Sequence, residues 1–375
     1  MTKPAPLPTP KTGSTGATDP LSADVVGAAL HSSESITSLR VVGTEHELAL
    51  PAKNVFRIGT GAVDVRVPVL GAQRPVSREH AELTRQGSDD GTWLQVVDLG
   101  SLNGTFFEGG RERDFAVKAG QRFSVASTEL LVMDKSLAQL RRVLEGFFGA
   151  TEHQLLDDHL TLLVEHDAIL LLGDRGSERG HLAHAIHECS RRRRHPFREV
   201  RKPSGDPEAL VADFRAAAHG TMFVSLDNLG GKAGVGPLIK LLFDPTYAVR
   251  PIIAARDLAQ VCAALNVTAT RFRPLTLPPV RERPGDIPAL LDAMLAEWGS
   301  PHRVVELKPD RLAAMCDFEW PRNRAELRET AQRVGALLAH RGNLSAAAKA
   351  IHQDYESFRR ALARVGAITV QHRDE

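Results

Sequence analysis

The sequence predicts a multidomain chain: an all-β sandwich, then an α/β fold with a helical lid, then a small all-α helix pair. Three observations carry this prediction. From Leu39 to Asp134, short β-type runs are broken by Gly and Asn turns. From Ala168 to about Phe272, continuous apolar strands alternate with helical segments, the pattern of a parallel sheet covered on both faces. From Pro288 onward the chain reads as helical and closes on a compact helical pair near 343–366.

Taken in order, residues 1–36 are rich in Pro, Thr, Ser and Gly and read as a flexible tail. The opening "MTKPAPLPTPKTGSTGATDP" has no apolar stretch, so no signal peptide is expected. Residues 37–134 carry the strand runs "RVVGTEHELAL", "VFRIG", "VDVRVPV", "HAELTR", "TWLQVVDLG", "GTFFEG", "RFSVAS" and "ELLVMD". Residues 135–272 begin with a helical stretch, Leu137, Leu140, Val143, Leu144 and Phe147 falling at helix spacing. The buried-type strands "AILLLG", "GTMFVSL" and "RPIIAAR" follow. The lid is placed at 273–338 and the terminal pair at 339–375.

Composition narrows the function. Of 375 residues, 42% are hydrophobic and 25% charged, as in an ordinary soluble chain. A net charge of +1 offers no global field for nucleic acid or membrane, so any basic patch is local. The three cysteines, Cys189, Cys262 and Cys316, have no metal spacing and read as reduced core residues. No apolar run is long enough to cross a bilayer, and a cytoplasmic location is expected. The histidines are scattered, and no metal site is expected. The run Arg191–Arg194 has two readings, cations at a helix C-terminus or a nucleic-acid patch, and the first is favoured.

"RIGT", "VSREHAEL" and "DLGSLNGTFFEG" occur in that order, and here the sequence resembles a forkhead-associated (FHA) domain. The resemblance implies a sandwich whose loops bind phosphothreonine peptides. Ser77 and Arg78 match the phosphate-contacting positions and Asn103 the position that holds the peptide backbone. Gly59, His80, Gly104 and Thr105 match residues that brace the loops. Thr60 stands where the family carries an Arg that bonds the phosphate. Arg57 and Arg74 are candidates to replace that charge. The competing reading is a plain hairpin turn at "NG" beside an ordinary loop.

Four further segments resemble the AAA+ domain of sigma-54-dependent activators: "AILLLGDRGSERGHLAHAIHECSRRRRHPF", "AAAHGTMFVSLDNL", "LTLPPVRERPGDIPALL" and "FEWPRNRAEL". The resemblance implies a P-loop fold with a lid, and it exposes departures. Gly173 and Gly176 are kept, but Glu178 replaces the Gly that lets backbone approach phosphate. Arg179 replaces the P-loop Lys, a different donor geometry. Ser225 and Leu226 stand where the family has Asp for Mg²⁺ and Glu for water, with Asp227 on the strand face of Ser225. Ala325 occupies the sensor Arg position, with Arg324 one residue away. Arg271 and Arg273 are the only remnants of the arginine-finger segment, and the sigma-contacting "GAFTGA" loop has no counterpart. Phosphoryl transfer depends on these parts for positioning and charge, so neither ATPase activity nor ATP or Mg²⁺ binding is expected.

"GNLSAAAKAIHQDYESFRRALARVGA" resembles a Fis-type helix-turn-helix. The resemblance would turn Tyr355, Glu356, Arg359 and Arg360 toward DNA. His352 and Gln353 depart from the family's turn, and the competing reading is a helical hairpin that packs or dimerises. The preferred reading is a phosphothreonine-dependent bacterial transcriptional regulator with an ATPase-dead scaffold core. Its expected partners are a phosphothreonine protein linked to a Ser/Thr kinase, DNA through the terminal helices, and a second copy of the chain, with no membrane. The alternatives are a nucleotide-dependent sigma-54 activator and a phosphoprotein adaptor without DNA binding.

Overall fold

The computed structural model describes residues 35–69, 75–88, 91–165, 168–200, 207–228, 235–265 and 273–369. All but the end of the 1–36 tail lies outside them, as do Arg74 and Arg271. The chain divides into two units. One comprises the described residues up to Leu171 with Gly180–Leu275; the other comprises Leu172–Arg179 with Thr276 onward.

The first unit opens with a two-sheet sandwich. Its six-stranded sheet has the order β2-β1-β11-β10-β7-β8, from β1 (Ile36–Val41), β2 (Glu47–Ala49), β7 (Thr105–Phe107), β8 (Gly110–Glu112), β10 (Arg122–Val125) and β11 (Thr128–Asp134). The five-stranded sheet has the order β4-β3-β5-β6-β9, from β3 (Val55–Gly59), β4 (Val65–Arg66), β5 (Ala81–Ser88), β6 (Gly91–Asp98) and β9 (Asp114–Lys118). Alternate residues point inward along each strand, so Phe56, Ile58, Leu83, Leu94, Val96 and Phe123 meet in one apolar core.

Strand β11 runs directly into α1 (Lys135–Phe148), whose N-cap Asp134 accepts the Leu137 N–H at 2.8 Å. Helix α2 (His153–Glu165) turns back along α1. The side chain of Asp157 on α2 is fully buried, which a carboxylate tolerates only with partners. Arg40 of β1 donates to it at 2.9 Å, Arg141 of α1 at 3.1 Å, and the Gly43 N–H at 3.0 Å. This triad ties the sandwich to the helical pair.

The α/β sheet has the order β13-β14-β15-β12-β16, from β12 (Ile169–Leu172), β13 (Phe197–Val200), β14 (Thr221–Ser225), β15 (Arg250–Ala255) and β16 (Arg273–Thr276). β14 pairs in parallel with both β13 and β15. Every residue of β12, β14 and β15 is buried, which explains their mostly apolar sequences; the exceptions are Thr221, Ser225 and Arg250 at strand ends. Around this sheet run α3 (Arg179–Glu188), α4 (Pro207–Ala216), α5 (Val235–Leu242) and α6 (Leu258–Leu265).

In the second unit lie α7 (Ile287–Glu297), α8 (Pro309–Cys316), α9 (Asn323–Ala339), α10 (Leu344–Ala350) and α11 (Tyr355–Arg364). Two boundaries differ from the sequence reading. Arg273–Thr276 forms a sheet strand, although the lid was placed from 273. The lid and the terminal pair share one hydrophobic cluster, Leu337 of α9 packing with Ala347, Phe358 and Leu362. Seven- and ten-residue helices cannot bury a core alone, so they complete that of the lid. Among the described residues, no helix is long and apolar enough to cross a membrane.

Asp157→Ala leaves two guanidiniums buried without their carboxylate. It should destabilise the first unit by about 3–5 kcal/mol, read by chemical denaturation, whereas Glu45→Ala on the exposed turn before β2 should change little.

Candidate functional site

Three loops of the sandwich converge, those after β3, before β5 and after β6. The approach is close: a Cβ on Gly59 would lie 2.1 Å from the Arg78 carbonyl oxygen, so only glycine fits. The Thr60 N–H bonds the Ser77 carbonyl at 3.1 Å, and the Thr60 hydroxyl donates to the Val76 carbonyl at 3.2 Å. Thr60 thus ties the loops together.

His80 is fully buried beneath them. Its Nδ1 accepts the Ser77 N–H at 3.1 Å, which places the ring proton on Nε2, where it donates to the Gly104 carbonyl at 3.1 Å. Burial lowers its pKa below the ordinary 6.5. The Ser77 hydroxyl oxygen accepts the Leu102 N–H at 3.2 Å, leaving its own hydrogen to donate elsewhere. Asn103 Nδ2 donates to the Pro75 carbonyl at 2.8 Å. Arg78 is exposed and has no ion pair among the described residues. Ser77, Arg78 and Asn103 are therefore brought together as donors on one rim.

Arg57 is not a spare cation for that rim. Its guanidinium donates to Glu79 at 2.8 Å and to Glu82 at 3.2 Å. This corrects its reading as a replacement for the missing Arg; Arg74, the other candidate, lies outside the described residues.

Two organising residues went unnoticed in the sequence. Asp98 accepts from the N–H groups of Gly100 and Ser101 and from the hydroxyls of Ser101 and Thr105, all within 2.7–2.8 Å. Burial works against its charge, but the Ser101 and Thr105 hydroxyls and the two N–H groups prevail and hold it at about 2. Ser101 in turn accepts the Gly104 N–H at 3.0 Å. The signal was present, since an Asp two residues before Gly forms such turns.

The segment 173–180 is built differently. Gly176 has φ 79°, and a Cβ there would lie 2.1 Å from the Arg322 carbonyl oxygen. Its own carbonyl accepts the Ala325 N–H at 2.9 Å, so the vacated sensor position is a backbone contact. Leu277 N–H bonds the Leu172 carbonyl at 2.8 Å, just before Gly173. Glu178 keeps the left-handed conformation expected of glycine, φ 61°, at a cost of about 1–2 kcal/mol. Its side chain is 5% exposed and takes Arg328 through both oxygens, at 2.5 and 3.1 Å, and Arg324 at 3.3 Å. Sequence reasoning weighed Arg324 but missed Arg328, although four residues on a helix place the two on one face. Arg179 is buried at the start of α3.

In the first unit, Ser225 and Leu226 are buried at the end of β14 and bring no carboxylate for a metal. Asp227 is held by Gln260 at 3.1 Å and by Arg256 at 3.5 Å. Among the described residues, no group of three or more His, Cys, Asp or Glu could hold a metal ion. Arg192 donates to the carbonyls of His219 at 3.1 Å and Ala248 at 2.5 Å, which favours a structural reading of the arginine run. In the terminal pair, His352 takes φ 55° where the Fis-type pattern prefers Gly. Tyr355, Glu356 and Arg360 are exposed, but Glu356 pairs with Arg359 at 3.1 Å and lies 3.9 Å from Arg360.

Residues 56–126 match the family model of the FHA domain. The chain is 29% identical over 211 residues to the alginate biosynthesis transcriptional regulatory protein AlgB of Pseudomonas putida, covering 45% of this chain and 46% of that protein. It is 24% identical over 233 residues to the Nif-specific regulatory protein of Rhizobium etli, covering 52% and 40%. The chain joins an FHA domain to a region homologous to sigma-54-dependent transcriptional regulators. It spans under half the length of these relatives. Among solved structures it is similar to NtrX from Brucella abortus in complex with ATP, at 17% identity and TM-score 0.38 over 62% of this chain and 68% of that one. An FHA domain from Chlamydia trachomatis is 26% identical, TM-score 0.22, over 27% of this chain and 98% of that one.

The FHA loops have a defined acid sensitivity. His80 has a depressed folded pKa, so its share of stability is present above 6.5 and is lost as pH falls toward that lower value. Asp98, ordinarily 3.8, adds stability above that value and loses it as pH falls through about 2. Thermal melts should show both losses, and Asp98→Asn should remove the lower one while weakening the domain at neutral pH.

Proposed function

We propose that this chain is a phosphothreonine-reading transcriptional regulator whose AAA+-like core is a non-hydrolysing scaffold. The observation that carries it is the rim of Ser77, Arg78 and Asn103, held by the buried His80 and Asp98. A phosphate group brings close to two negative charges and three acceptor oxygens. The free hydroxyl hydrogen of Ser77 and the guanidinium of Arg78 suit it, and Asn103 is placed to hold the peptide. The ligand would be a protein phosphorylated on threonine by a Ser/Thr kinase.

The core supports the scaffold half of the reading through its chemistry. Glu178 sets a carboxylate beside the segment that would face a polyanion. Ser225 and Leu226 supply neither a carboxylate for the metal nor a base. These residues do not suit Mg-ATP. The core would act as an assembly surface, including for a second copy of the chain.

A specific observation favours a second reading for the terminal helices. Glu356 lies on the face meant for DNA and already pairs with Arg359. That favours a hairpin completing the lid, and hence an adaptor without DNA contact.

Phosphothreonine peptides should bind the full chain, and unphosphorylated ones should not. Arg78→Ala should weaken binding about ten- to a hundredfold, as expected for a hydrogen bond to a charged group, and Asn103→Ala about two- to tenfold, as expected for a neutral one. Arg57→Ala should leave affinity nearly unchanged, because Glu79 and Glu82 engage that side chain. Micromolar heats with Mg-ATP in calorimetry would falsify the scaffold reading. For DNA, a salt-dependent gel shift abolished by Arg359→Ala/Arg360→Ala would establish binding, and its absence would leave the adaptor.

A further inference from the structure

Glu178 is a carboxylate in an unusual position: its backbone is left-handed, φ 61°, and its side chain is nearly enclosed. Arg328 grips both of its oxygens and Arg324 one of them. Both arginines project from α9, and a third, Arg283, lies close enough to act on Arg324. Against these three cations stand Glu178, Glu297, which pairs with Arg328, and Asp286, which pairs with Arg283 at 3.2 Å. A guanidinium fork closing on a flat oxyanion is the arrangement that receives carboxylate and phosphate alike.

We propose that Glu178 is a built-in ligand: its carboxylate fills an oxyanion site formed by Arg324 and Arg328, and so holds the segment 173–178 against the lid without nucleotide. The geometry supports this from three sides. The loop approaches the lid backbone at Gly176, where a side chain has no room. The Gly176 carbonyl bonds the first turn of α9. The strained Glu178 backbone persists because its carboxylate reaches both guanidiniums. Such a lid has no need to respond to nucleotide binding or release. The inference rests on the non-hydrolysing reading of the core and deepens it.

The test uses the full chain and inorganic phosphate as the probe. Glu178→Gly removes the internal anion and relieves the backbone, and Glu178→Gln keeps the shape without the charge. Both variants should melt below wild type in phosphate-free buffer. Both should then gain several degrees as phosphate is titrated, with sodium chloride at matched ionic strength as control. Wild type should gain far less, showing only the background that the Ser77–Arg78 rim and phosphate's general salting-out give every variant alike. Arg324→Gln/Arg328→Gln in the Glu178→Gly background should abolish the gain. Phosphate stabilising wild type as strongly as the variants, or leaving both variants unaffected, overturns the proposal; variants folding in neither buffer count with the latter. ATP hydrolysis by wild type would remove the scaffold reading itself, whereas an inert wild type with unresponsive variants removes only the built-in ligand.

Discussion

A carboxylate taken out of water must be met by cations or hydrogen-bond donors, and that constraint organises both units of this chain. Asp157 and Glu178 are each nearly or fully enclosed, and each is answered by two arginines. Such pairs gain little over apolar packing, because desolvation offsets most of the attraction. Their effect is specificity, since any arrangement that separates the partners leaves a bare buried charge. Asp157 therefore fixes which strand of the sandwich meets which helix, and Glu178 fixes how the 173–178 segment meets α9.

The FHA loops obey the same rule on a smaller scale. Asp98 draws two hydroxyls and two N–H groups inward and so dictates the path from Leu99 to Thr105. His80 links the two loops that carry Ser77 and Gly104. Neither residue needs to face a ligand. Together they hold the exposed donors in place before any ligand arrives, which reduces the ordering cost of binding.

Much of this was legible in the sequence because strong patterns have strong physical causes. β12, β14 and β15 are buried throughout and read as apolar runs with polar residues only at strand ends. β13 and β16 were missed; they lie at the two edges of the sheet, where less burial is required, and "FREV" and "RPLT" carry charge. β9 was legible in principle, since Phe115 and Val117 alternate with exposed residues, but five residues give a weak period beside charged neighbours. Partnerships between distant residues left no local trace. Nothing near Arg57 shows that Glu79 and Glu82 engage it, and nothing near Glu178 names Arg328.

Glu178, where the resemblance expects glycine, gains a meaning from its contacts that the resemblance alone does not give it. Loss of function by itself predicts random replacement, and a bulky acid in a left-handed backbone is an unfavourable random choice. Its carboxylate meets two guanidiniums, so the side chain compensates for the strain that its backbone imposes. Reversion to glycine would free those guanidiniums without restoring chemistry. Ser225 and Leu226 would still bring no carboxylate, and Asp227 would remain engaged by Gln260 and Arg256. The lid contact at Glu178 and the chemistry at Ser225 and Leu226 therefore rest on different residues, and a change at one leaves the other in place.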